Sequence, residues 1–279
     1  MERIITLTTD FGLRDEYVGV MKGVILCRAP SVGIVDLCHG IRPHDIRQAA
    51  ALLDASYRFF PKATIHLVVV DPGVGGNRRL IAVRADNHWF LAPDNGVLTP
   101  MLDPKRFQAG FILQCDHLYL NPVSATFHGR DMLAPVAAQM AMGLNPAQLG
   151  PPLHPEQCVL LPQVKPVVDP ERGLIIGAVV DTDHFGNLRT NIARSMLALL
   201  AERHDPMNGT TIIGTHSIHG ISDSYDSREP GAPLAIIGSR DTLEICVNLG
   251  DAARLLKAGP NARVLVKAAA KRPGPPPRG

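Results

Sequence analysis

The 279-residue sequence predicts an α/β protein, with an amino-terminal domain of βαβ units around a parallel or mixed sheet followed by a smaller all-β domain. Three observations predict it. Through the first half, short apolar runs alternate with helix-like stretches. From 151 to 170 the texture changes, with prolines at 151, 152, 155, 162, 166 and 170 and little periodicity, as in a linker. Beyond it, β-like runs are separated by glycine-rich or polar turns. The expected boundaries are 1–165 for the α/β domain, 166–268 for the β domain, and 269–279 for a flexible, basic, proline-rich tail.

Each element has a local reason. Residues 4–9, 33–37, 65–70 and 80–85 are apolar or β-branched runs of strand length. Between the first two, 15–28 carries Tyr17, Met21, Val24 and Ile25 at helical spacing, forming one apolar face. Asp45 with Gln48 three residues on resembles a capping box, opening a helix that runs to Phe60 and stops at Pro61. A third helix begins near Arg130 and stays apolar through Met142, with Gly143 as its C-cap. Later strands are expected at 174–180, 210–213, 234–237 and 243–247, while 215–233, polar and rich in Gly, Ser and Asp, reads as a long surface loop.

Composition removes several classes. A hydrophobic share of 46% is enough to build a sizeable core. A formal charge of +2 offers no electrostatic footprint for nucleic acid. Five scattered cysteines without a CxxC pair fit reduced thiols, no apolar run is long enough for a membrane span, and Met1-Glu2-Arg3 leads directly into a strand. A soluble, cytoplasmic protein is expected.

Reactive side chains gather in three glycine-bordered turns: Thr9-Asp10-Phe11-Gly12, Asp71-Pro72-Gly73-Val74-Gly75 with Arg78 beyond, and Phe127-His128-Gly129-Arg130-Asp131. The first two follow strands, so Asp10 and Asp71 fall at carboxyl ends, where open α/β sheets hold ligands. Ionised Asp10 can accept two hydrogen bonds from the paired hydroxyls of a ribose, or it can cap the following turn. Asp71 ends an uncharged run, and Arg78 follows seven residues later. That carboxylate and guanidinium either face one cavity or close the turn as a structural pair. His128 can hold a proton near neutral pH, or it is a structural histidine.

In the second half the densest polar turn is Asp181-Thr182-Asp183-His184-Phe185-Gly186-Asn187. Phe185 could stack on a planar base and Asn187 could bond a base or sugar edge, although a plain hairpin turn explains the same residues. Gly238-Ser239-Arg240 precedes a strand that carries Glu244 and ends at Val247-Asn248, and Arg240 suits a carboxylate. A metal on Asp10, Asp71, His128 and Asp131 would resemble metallophosphatase chemistry, but no metal-ligand spacing supports it and Arg78 would repel a cation. Neither GxGxxG nor GxxxxGK[ST] occurs, so nucleotide phosphates lack a dedicated cradle, whereas a nucleoside needs none. The pattern is that of an enzyme or a tight small-molecule binder.

Taken together, segments 8–12, 17–23, 36–45, 64–75, 92–96, 126–131, 183–192 and 238–248 resemble the S-adenosyl-L-methionine (SAM) hydroxide adenosyltransferase family, related to the fluorinase and chlorinase. The resemblance implies a Rossmann-like α/β domain with a mixed sheet joined to a smaller β-barrel, and a trimer with active sites between subunits. It also implies hydrolysis of SAM to adenosine and methionine, with no metal and no organic cofactor. The family's Asp-Arg-His set falls on Asp71, Arg78 and His128, and its ribose-binding aspartate on Asp10. Asp183 and Arg240 match methionine-contacting positions, and Asn187, Ser239, Glu244 and Val247 match the adenosine site. Phe11, Phe185 and Asn248 complete the expected substrate-binding set. Where the fluorinase carries hydroxyl side chains near the halide, this chain has Asp71, Val74, His128 and Gly129, which favours water as nucleophile. The competing expectations are a metal-dependent nucleotidase or phosphatase and a non-catalytic SAM or adenosine sensor. Gly76, a threonine in many relatives, and the 215–233 loop have no explanation in the resemblance.

Overall fold

The computed structural model describes residues 3–162 and 164–271. The chain divides into two compact units, 1–162 and 163–279, with the division inside the proline-rich stretch. The first unit runs β1 (Ile4–Thr9), α1 (Tyr17–Arg28), β2 (Gly33–Cys38), α2 (Ile46–Ser56), β3 (Ile65–Val69), β4 (Leu80–Ala85), β5 (His88–Pro93), β6 (Phe107–Ile112) and α3 (Ala134–Ala141). Its sheet has the order β2-β1-β3-β5-β4-β6. Neighbours among β2, β1, β3 and β5 are parallel, and β4 is antiparallel to both β5 and β6, so the sheet is mixed.

Burial on both faces explains the sheet's sequence. All five residues of β3 are buried, and successive side chains feed two cores. Leu67 and Val69 pack with Met21 and Ile25 of α1, whereas Val68 and Val70 pack with Ala49 and Leu53 of α2. The apolar face of α1 differs from the expected one: Val18, Met21 and Ile25 are buried, and Tyr17 is 42% exposed. Asp45 caps α2 by accepting a hydrogen bond from Gln48 N at 2.9 Å. The reciprocal half of the box is displaced, because Gln48 Oε1 accepts from Arg42 N instead of the cap's own N–H. The helix stops at Ser56 and a 3₁₀ turn, Tyr57–Phe59, carries the chain to Pro61. The expected third helix opens as a π turn, Gly129–Leu133, before α3.

Strands β5 and β6 lay outside the sequence reading. β4 and β5 form a hairpin in which Ala85 pairs with His88, and the two turn residues Asp86 and Asn87 both have positive φ, the form of a type I′ turn.

The second unit runs β7 (Val167–Asp169), β8 (Leu174–Thr182), β9 (Leu188–Ala193), α4 (Arg194–Leu200), β10 (His204–Ile213), β11 (His216–His219), β12 (Pro233–Ile237), β13 (Thr242–Val247), α5 (Ala252–Leu256) and β14 (Arg263–Ala270). Its antiparallel sheet has the order β11-β10-β14-β8-β9-β13-β12, with β7 added to β8. Ser222, just past β11, bridges Ile236 of β12 at the other end, so the sheet nearly closes into a barrel. β11 lies inside the segment expected to be loop, and β14 continues to Ala270, two residues into the expected tail. The remainder of that tail, 272–279, lies outside the described residues. Among the described residues, no helix is long and apolar enough to cross a membrane.

Candidate active site

In the mixed sheet β2 and β3 flank β1, so the chain leaves β1 for one side and returns on the other. Such a reversal opens a crevice beyond the carboxyl ends of the two central strands. Asp10 follows β1 and Asp71 lies just past β3, one on each side of that crevice. A cavity of about 330 Å³ occupies it, lined by Asp10, Phe11, Asp71, Val74, His128 and Gly129, among others.

The Asp71 turn is built around Arg78. Arg78 Nε donates to both carboxylate oxygens of Asp71, at 3.0 and 2.9 Å, and Nη2 donates to Oδ2. Both side chains are nearly buried, at 11% and 6% exposure, so the pair is shielded from bulk water. The pair closes the turn, and Asp71 also lines the cavity, whereas Arg78 stands behind it and is not among the lining residues. Gly75 makes the turn possible. Its φ is +78°, and a Cβ there would lie 2.3 Å from the Ala125 carbonyl oxygen. Only glycine lets this turn seat against the segment that leads to His128.

His128 precedes the π turn, a distortion that recurs at functional sites. Gly129 packs flat on β3, where a Cβ would come within 3.0 Å of Val69. Asp131, 1% exposed, accepts hydrogen bonds from Arg130 Nε at 2.6 Å and from Ser124 N at 2.8 Å, locking the loop before the histidine. Burial lowers the His128 pKa, and the Arg78 guanidinium lowers it further, against the pull of Asp71 and Asp131. The ring is therefore neutral at neutral pH. Its Nδ1 is buried with no hydrogen-bond partner among the described residues. The His128 residue also lines the cavity, where a neutral imidazole can orient a water molecule or take its proton.

Asp10 Oδ2 accepts from His44 N at 2.9 Å, which fixes the carboxylate at the cavity edge and leaves lone pairs for a ligand. Phe11, Tyr17 and Phe127 form an aromatic wall, with ring centroids 5.4 to 5.7 Å apart. Tyr17 lines the cavity, which accounts for its exposure on α1.

In the second unit, Asp183 organises the β8–β9 hairpin. Its Oδ1 accepts from Phe185 N and Asn187 N, both at 2.9 Å, and its Oδ2 accepts from Asn187 Nδ2 at 3.0 Å. Arg189 lies 3.1 Å from Asp181 and 3.3 Å from Asp183. Glu244 is 5% exposed, and burial raises its pKa, reinforced by Asp183 and opposed by Arg189 and Arg240. Burial and then Arg189 lower the pKa of Arg240, while Asp181, Glu244 and Asp183 oppose them. These residues form one charged cluster. Val247 is buried, and Asn248 is engaged in structure, with its Nδ2 donating to Arg228 O at 2.6 Å. Phe185, 73% exposed, and Ser239, also exposed, stand on the unit's surface.

Sequence reasoning missed Arg189 and the cavity-lining roles of Tyr17, His44 and Thr126. A signal for Arg189 was present, since it alternates with the buried Leu188 and Thr190 in β9. Among the described residues, no group of three or more His, Cys, Asp or Glu is placed to hold a metal ion.

Comparison with known proteins places this arrangement. The family model for the SAM hydroxide adenosyltransferase N-terminal domain matches residues 5–150, and that for the C-terminal domain matches 177–265. A relative named (R)-S-adenosyl-L-methionine hydrolase, from Salinispora arenicola, is 36% identical, over 95% of this chain and 97% of its own. A fluorinase from Nocardia brasiliensis is 28% identical, over 94% of this chain and 97% of its own. A crystal structure of an uncharacterized conserved protein from Thermotoga maritima superposes with a TM-score of 0.87 at 34% identity, covering 94% of this chain and 99% of that one. The chain belongs to the SAM hydroxide adenosyltransferase family.

Proposed function

We propose that this chain hydrolyses S-adenosyl-L-methionine to adenosine and L-methionine, by attack of water or hydroxide at the 5′ carbon. The observation that carries the proposal is the convergence on one cavity of Asp71, held by Arg78, with His128 and Asp10. Higher identity to the Salinispora hydrolase than to the Nocardia fluorinase supports the choice of nucleophile.

The chemistry joins an oxygen nucleophile to a sulfonium carbon and releases a neutral thioether. Charge is consumed along the path, so a site that replaces bulk water with fixed dipoles lowers the barrier. The leaving group departs without developing negative charge, and it requires no metal or organic cofactor. In this reading Arg78 stabilises hydroxide character on a trapped water, and Asp71 fixes the guanidinium. His128 orients that water or accepts its proton, and Asp10 holds the ribose hydroxyls beside Phe11. Asp183 and Arg240 are assigned to the methionine moiety. Phe185, Asn187, Ser239, Glu244 and Val247 are assigned to the adenosine, and Asn248 to substrate binding. A cytoplasmic location is supported by five free cysteines. A homotrimer is the proposed assembly, which light scattering on a sizing column would test.

The decisive experiment incubates purified protein with SAM in excess EDTA and separates products by chromatography. Equal amounts of adenosine and methionine are expected. Retention of SAM without turnover would establish the sensor instead. Phosphate release from a nucleotide that requires a divalent ion would establish the phosphatase.

A further inference from the structure

The β1–β2 pairing shifts register beside the site: Leu7 pairs with Asp36 but Thr8 pairs with Cys38, so Leu37 is an extra residue. A bulge of this kind re-aims the side chains that follow. Here it turns His39 under the Asp10 turn, 3% exposed at its side chain. His39 Nδ1 lies 2.8 Å from Thr9 Oγ1, and Thr9 Oγ1 accepts from Phe11 N at 3.3 Å. The His39 carbonyl accepts from Gly12 N at 2.9 Å. On the ring's other side Nε2 lies 3.1 Å from Asp36 Oδ1, an electrostatic contact without a formed hydrogen bond, and Lys22 Nζ is 2.5 Å from Asp36 Oδ2. An ionised carboxylate only accepts, so Asp36 favours the proton on Nε2 and leaves Nδ1 to accept from the Thr9 hydroxyl.

We infer that His39 is a positioning residue for substrate binding: through Thr9, Phe11 and Gly12 it clamps the residues on both sides of Asp10 and so sets that carboxylate's aim at the sugar. This rests on the proposed ribose-binding role of Asp10. Sugar contacts are the same in the ground and transition states, so the clamp acts on KM and leaves kcat nearly alone. His39 contacts neither substrate nor reacting atoms.

Three variants test it. In His39→Asn the amide can take the place of Nδ1 and keep the Thr9 bond. In His39→Gln it reaches toward Asp36 and loses Thr9. Thr9→Val removes only the hydroxyl in a side chain of the same shape. The expected result is a KM for SAM raised roughly tenfold in His39→Gln and Thr9→Val, with kcat within about threefold, near-normal KM in His39→Asn, and no further loss in the His39→Gln/Thr9→Val double variant. Amide hydrogen exchange without substrate should show Phe11 losing protection in Thr9→Val and keeping it in His39→Asn. Equal KM in all variants, a fall in kcat alone, or additive losses would overturn the inference. A wild type that makes no adenosine would instead refute the hydrolase reading, and the exchange measurement would still decide whether His39 clamps the turn.

Discussion

The sharpest test of the site's construction is Gly75→Ala, a single added methyl group. It acts in two separable ways. With φ at +78°, any residue bearing a Cβ is strained by about 1–2 kcal/mol. The new carbon would also start 2.3 Å from the Ala125 carbonyl oxygen, where ordinary contact begins at 3.4 Å. The Asp71 turn and the segment before His128 must therefore separate by roughly 1 Å, a misplacement of the size that costs on the order of 100-fold in rate. The expected loss in kcat/KM is thus about 100-fold, or about 2.7 kcal/mol in the transition state. Gly214→Ala is the control: it shares the positive φ, at +56°, but nothing lies within 4 Å of its Cβ. It should carry a similar strain, seen in urea unfolding, and leave kcat/KM within about twofold. Initial rates of adenosine formation on folded protein decide the matter. If Gly75→Ala kept kcat/KM within about threefold of wild type, the packing of the two turns would not be what holds Arg78 and His128 in register.

Three further outcomes follow from the same geometry. Asp71→Ala, Arg78→Ala and His128→Ala should each slow adenosine formation at least about tenfold, or about 1.4 kcal/mol, and wild-type rates in all three folded variants would refute their assignment. In oxygen-18 water the 5′ oxygen of adenosine should carry the label by mass spectrometry, whereas a 5′-chloro nucleoside as main product in chloride buffer would refute water as nucleophile. Acid should destabilise the first unit through His66, fully buried against His88 and Phe90, whose pKa burial pushes down to about 3 from the ordinary 6.5. The unfolded chain binds that proton below pH 6.5 and the folded one does not, so stability is intact above pH 6.5 and falls beneath it, by about 2 kcal/mol at pH 5. Urea unfolding at pH 7.5 and 5.0 should show that drop relative to His66→Phe, and equal pH dependence in the two proteins would refute it.

What the sequence disclosed depended on how much of each signal was local. β1 and β4 have the expected bounds because uniform apolar runs meet abrupt turn residues at both ends. β5 escaped although Asp86-Asn87 before it is a two-residue turn signal, since the polar His88 opens it and leaves only a short apolar run. β9 lies outside the expected strands because a barrel strand with one wet face alternates, placing Arg189 and Asn191 between buried neighbours. The α1 stripe was read one position off at Tyr17, because an aromatic that faces a ligand cavity has the same sequence appearance as one that faces a core. Asp10, Asp71 and His128 were legible as turn residues next to glycines. The His39 contacts were not, because they arise from a strand bulge that no pattern in a single strand announces.

The Asp86-Asn87 turn sits at the opposite end of the strands from the cavity, yet it acts as the ruler for the chemistry. By fixing Ala85 against His88 it fixes Leu80 against Pro93 five rungs away, and that brings Arg79 Nε to 3.0 Å from Asp94 and Asn95 Nδ2 to 2.8 Å from the Val70 carbonyl. Arg78 is the next residue out. A slip of one rung at that remote corner would turn successive side chains to the reverse side and swing the guanidinium away from Asp71. Two residues far from the cavity thereby calibrate the guanidinium that holds Asp71.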